Sequence, residues 1–77
     1  MSIIDKFSKE ELNAIHNAFF HALNDIDVEL SHYSPLDLAD ICYDKFWMGY
    51  SYLNKDIMKK LQSFDSRDVH ALLASFL

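Results

Sequence analysis

Apolar positions recur every three or four residues along most of this chain, a spacing that predicts helices. Leu12, Ile15, Phe19, Ala22, Leu23, Ile26 and Leu30 share one face at about 100° per residue, with His16 and Phe20 on its shoulder. Ahead of this run, Ser8 to Glu11 reads S-x-x-E, a capping box in which the serine oxygen and the glutamate each take one free backbone N–H. A helix is expected to begin at Lys9. Phe7 and Leu12 have the spacing of a hydrophobic staple across that start, and Ile3, Ile4 and Phe7 form a lead-in able to tuck against the helix. Asp25 to Leu30 alternates polar and apolar, which is also a strand pattern. A lone strand has nothing to pair with, and Ile26 and Leu30 keep the helical phase, so the helix is read as 9–31.

The second predicted element covers 35–64. Ser34 can cap it, Pro35 suits the first helical position and Asp37 the third, where a carboxylate faces exposed N–H groups. Ala39, Cys42, Tyr43, Phe46, Tyr50, Leu53, Ile57, Leu61 and Phe64 make one broad stripe. Leu38, Ile41, Met48 and Tyr52 lie off that stripe, so this helix is apolar on two sides and needs two sets of neighbours. Gly49 disfavours a helix interior and Asn54 can cap a new segment, marking 49–54 as the place for a bend. The unbroken phase from Phe46 to Phe64 argues for continuity. Ser31 to Tyr33 reads as a tight connection, because residues ahead of a proline are pushed out of the helical region. Asp65 or Ser66 opens a final helix over 66–76, with Val69, Leu72, Leu73 and Phe76 on one face. The expected fold is therefore all-α, a small antiparallel helical hairpin plus a short C-terminal helix, in a single domain over 1–77.

Composition narrows this picture. A chain of 77 residues that is 51% hydrophobic, with eleven aromatics, is not a disordered tail. One Gly and one Pro leave little turn material for a many-stranded fold. A domain of this size buries only about 60% of its unfolded surface, so a second chain could widen its margin of stability. Cys42 is the sole cysteine, and its place on the apolar stripe suggests a buried thiol in a reducing compartment. The longest apolar runs fall short of the ~18 residues of a membrane span, and Met1 to Lys9 lacks the build of a signal peptide. The expectation is a soluble cytoplasmic protein without membrane contact.

Charge is informative by position. The net charge is −5, yet Glu10 to Asp44 holds eight acidic residues and no Lys or Arg, while the remainder of the chain has seven basic and four acidic residues. The hairpin's turn end is expected to gather Asp25, Asp27, Glu29, Asp37, Asp40 and Asp44. Phosphate recognition rests on clustered Lys and Arg, so direct nucleic-acid binding is not expected. Lys55, Lys59, Lys60, Arg67 and His70 would be the residues of a DNA-binding module, the lowest-ranked reading in so acidic a chain.

No residue set compels chemistry. His21 and Asp25 could supply two metal ligands, but the spacing demands no third from His16, His32 or His70, and solvated surface groups explain them as well. Asp25-x-Asp27-x-Glu29 has a superficial calcium-loop look, yet no Gly follows and the twelfth position is Leu36. Cys42 has no evident activating cation. No catalytic residue, metal or cofactor is expected.

The reading favoured by these patterns is a non-enzymatic, acidic, helical protein-binding module. Its strip of Asp37, Asp40 and Asp44, with Asp25, Asp27 and Glu29, would dock on a basic surface of a protein partner, as a regulator or inhibitor. Ile41, Met48 and Tyr52 form an apolar patch for the partner or for a homodimer. Small acidic helical proteins that occupy nucleic-acid-binding surfaces, phage-encoded inhibitors among them, are a functional analogy, and a phage or mobile-element source belongs to that analogy. The alternative is an oligomeric sensor or sequestering protein that holds a small ligand in a pocket of Tyr43, Trp47, Tyr50 and His16.

Overall fold

Local capping decides where three of the helices start. In the computed structural model, which describes residues 3–26, 29–48 and 52–77, the Ser8 backbone N–H donates to Glu11 Oε1 at 2.8 Å and the Glu11 N–H to Ser8 Oγ at 3.1 Å. Helix α1 accordingly runs over Lys9–Asp25, after a short 3₁₀ turn at Ile3–Lys6. Asp37 N–H donates to Ser34 Oγ at 3.2 Å and opens α2, Pro35–Trp47. Ile57 N–H donates to Asn54 Oδ1 at 2.8 Å and opens α3, Lys55–Gln62. A fourth helix, α4, spans Ser66–Ala74 behind Asp65, whose side chain makes no cap hydrogen bond. The fold is all-α, a helix pair followed by shorter C-terminal helices, with no strand among the described residues.

Three boundaries differ from the periodicity. First, α1 stops at Asp25 rather than continuing to 31, and Ile26 turns extended at φ −88°, ψ 146°. Asp25, Asp27 and Glu29 would otherwise crowd carboxylates at the negative end of the helix dipole. Leu30, in phase with the α1 stripe, instead enters a 3₁₀ turn, Leu30–His32, and is exposed. The link from α1 to α2 is thus longer than a tight turn at Ser31 to Tyr33; Asp27 and Val28 lie outside the described residues.

Second, the 35–64 stretch is not one helix. It is divided between Trp47 and Lys55, with Leu53 buried in the gap, while Gly49 and Tyr50 lie outside the described residues. A continuous 30-residue helix would be about 45 Å long, against a longest molecular extent of 32 Å. The break lets Ile57 and Leu61 turn back to the core that Phe46 already occupies. Third, α4 ends at Ala74, where Ser75 Oγ donates to the Leu72 carbonyl at 2.5 Å, and the chain finishes in a turn.

The core is continuous through all four helices. Ile15, Phe19, Cys42, Phe46, Leu61, Val69, Leu72 and Leu73 are its largest fully buried side chains. Helix α2 packs most extensively on α4 and next on α1, and α4 also touches the N-terminal turn. Phe7 is buried against Phe64, ring centroids 5.9 Å apart, and this closes α3 over the start of α1. The Ala39, Cys42 and Phe46 stripe of α2 has its neighbours, and so does Leu38. The rest of the second apolar side, Ile41 and Met48, does not.

Candidate functional site

The uncovered face of α2 carries Asp37, Ile41, Asp44 and Met48, spaced four, three and four residues apart and therefore stacked along one side of the helix. Met48 is 67% exposed and Ile41 39%. Asp37 and Asp44 are exposed and have no ion-pair partner among the described residues. Asp40 lies at the edge toward α4, where its Oδ1 stands 3.3 Å from His70 Nε2. Lys45 lies at the edge toward α1 and reaches the Asp25 carbonyl at 3.4 Å, so the C-terminal turns of α1 and α2 meet there. A row of carboxylates thus runs beside an apolar ridge, with one lysine at its border already engaged.

At that border is a depression of about 360 Å³ floored by Ala18 and Ala22 and walled by His21, Asp25, Lys45, Met48 and Tyr52. Tyr52 is half-buried. Its hydroxyl bonds to His21 Nε2 at 2.5 Å, and the two rings stack with centroids 4.4 Å apart. That bond occupies one of the two His21 ring nitrogens able to ligate a metal. Among the described residues no three His, Cys, Asp or Glu side chains converge as metal ligands.

The residues of the sequence-based ligand pocket are distributed over two places. Tyr43 and Trp47 are half-buried neighbours, edge to face at 5.9 Å, and Tyr43 stacks on His70 at 4.2 Å with the ring planes 12° apart. His16 lies elsewhere, between Phe20 at 4.4 Å and Phe76 at 5.0 Å. It lines a shallow groove of about 510 Å³ with Lys9, Glu10, Leu12, Asn13 and Phe76, which neither Tyr43 nor Trp47 joins. Tyr50, the fourth residue, lies outside the described residues, as does Asp27 of the acidic set; Asp25 and Glu29 are exposed.

Two titrating groups feel their surroundings. Hydrogen bonds from the Ser8 backbone and from Lys60 hold the Glu11 carboxyl below the ordinary glutamate range, against a smaller opposing effect of partial burial. Burial pushes the Cys42 thiol up, with Lys45 opposing weakly, so the thiolate a nucleophile needs is disfavoured. Of the basic residues, Lys55, Lys59 and Arg67 are exposed, whereas Lys60 is held by Glu11 at 3.0 Å and lies over the Phe7 ring at 5.1 Å. No described helix is long and apolar enough to cross a membrane.

Sequence reasoning did not pair His70 with Asp40 and Tyr43, His21 with Tyr52, or Lys60 with Glu11. Each partner lies far along the chain, where periodicity carries no signal. No protein-family model, curated protein or solved structure matches the chain.

Proposed function

We propose that this chain is a non-enzymatic protein-binding module whose contact surface is the uncovered face of α2. The observation that carries this reading is the exposure of Met48, 67%, on the same helical side as the unpaired carboxylates Asp37 and Asp44. A large apolar side chain left in water beside unneutralised charge suits an interface with an apolar centre and an ionic rim. The partner is a protein with a basic surface of the kind that binds nucleic acid. Asp37, Asp40 and Asp44, supported by Asp25 and Glu29, meet its Lys and Arg side chains, while Ile41, Met48 and the edge of Tyr52 supply apolar contact. Blocking such a surface would make the module a regulator or inhibitor. The same apolar ridge is the natural contact of a homodimer.

Capture from the native host's lysate, compared between the wild type and Asp37→Asn/Asp40→Asn/Asp44→Asn, tests the reading. A partner retained at low salt, lost as salt rises and lost in the triple variant is the expected result; equal capture by both removes the acidic strip from the interface. Light scattering during size exclusion decides the homodimer. A mass near 9.0 kDa at all micromolar concentrations removes it. The small-ligand reading draws less support, because Tyr43 and Trp47 pack on each other and on His70 while His16 stands apart.

A further inference from the structure

We propose that His70 is a proton-operated clasp joining α4 to α2 through Asp40. His70 Nδ1 lies 2.6 Å from the Ser66 carbonyl oxygen. A carbonyl only accepts, so Nδ1 carries a proton in either charge state of the ring. In the neutral imidazole Nε2 is then a bare lone pair. This atom is buried without a hydrogen-bond partner, and Asp40 Oδ1, which stands 3.3 Å away, is another acceptor. The approach is within ion-pair distance but makes no hydrogen bond. A proton taken from solvent onto Nε2 turns the unfavourable pair into a charge-assisted hydrogen bond. The Asp40 side chain is 82% exposed and free to rotate into line.

The surroundings make the clasp specific to one ring position. Tyr43, on α2, stacks on the imidazole and fixes its plane. From α2 the charged group facing the ring is Asp40. Arg67 and Asp68, its charged neighbours on α4, are exposed. Among the described residues no ion pair or hydrogen bond reaches His70 from the N-terminal turn, which carries Asp5 and Lys6, or from α1, which brings His16 to Phe76. The clasp acts on the most extensive helix contact in the molecule. Protonation of Nε2 therefore holds α4 more firmly to α2. This clasp is independent of any partner.

The test is nitrogen NMR of the imidazoles and amide hydrogen exchange, run on the full chain at about pH 8 and about pH 5.5, the latter still above the ordinary carboxylate range. Neutral His70 is expected as the Nδ1–H form with Nε2 bare. Protection of α4 amides, corrected for intrinsic exchange, is expected to rise roughly three- to fivefold on acidification, the size of a solvent-exposed ion pair. Asp40→Ala removes that rise. Asp40→Asn, whose amide can donate to bare Nε2, strengthens protection at pH 8 instead. Position 40 is exposed, so both variants fold. A neutral ring protonated at Nε2, or a pH-dependent rise that survives Asp40→Ala, overturns the clasp.

Discussion

Lys60 closes on Glu11 across 49 positions of the chain, with Nζ 3.0 Å from the same Oε1 that accepts the Ser8 backbone N–H. One carboxylate oxygen thereby completes the cap of α1 and anchors α3. The Lys60 ammonium also lies over the Phe7 ring, 5.1 Å from its centroid. The folded state lowers the Glu11 carboxyl, so its contribution to stability is full above the unfolded value of about 4.3 and is lost as pH falls through the lower folded value. Thermal midpoints of the wild type and Glu11→Gln should therefore differ most above about pH 5 and converge in acid. A gap that stays constant down to pH 2 would show that Glu11 does not titrate with folding.

Three of the four described helix starts, at Ser8, Asn54 and Asp65, should rank by their hydrogen bonds. Ser8→Ala and Asn54→Ala each remove a side-chain acceptor from a helix start and should cost about 1 kcal/mol. Asp65→Ala removes no such bond and should cost a few tenths. Urea midpoints at constant slope measure all three, and an Asp65 effect as large as that of Ser8 contradicts the ranking.

Phe46 and Met48 are two residues apart and should respond in opposite ways. Phe46 is fully buried, so Phe46→Ala should cost about 3–5 kcal/mol, much of the 5–15 kcal/mol typical of a whole domain. Met48→Ser and Ile41→Ser should stay within about 0.5 kcal/mol, because water already reaches both side chains. Loss of partner capture or of dimer mass in the serine variants, at unchanged stability, is the expected signature of a contact surface.

Cys42 should be silent to thiol reagents in the folded protein. It is fully buried and its ionisation is disfavoured, so labelling should proceed only at the rate of unfolding and rise steeply through the urea transition. Cys42→Ser should cost about 1–3 kcal/mol, since it sets a polar hydroxyl among buried apolar side chains. Rapid labelling in buffer would place the thiol at an accessible surface.

What the sequence determined by itself was local. Ser8 with Glu11, Ser34 with Asp37 and Asn54 with Ile57 are three residues apart, and within one helical turn spacing alone brings a donor to an acceptor. Ile41 and Met48 stood out as apolar positions off the main stripe, but Leu38 of the same set is buried while they are exposed, a division that spacing does not encode. Periodicity overran at Leu30 and at 52–54, because an in-phase side chain keeps its phase whether or not the backbone stays helical. Only the tertiary structure decided that His16 leaves Tyr43 for Phe76, that His70 takes Asp40 and Tyr43, and that Lys60 takes Glu11. These pairs depend on how four helices cross in a molecule 32 Å long, and crossing is set by the joint volume of Phe19, Phe46, Leu61 and Leu72 rather than by any one segment's pattern.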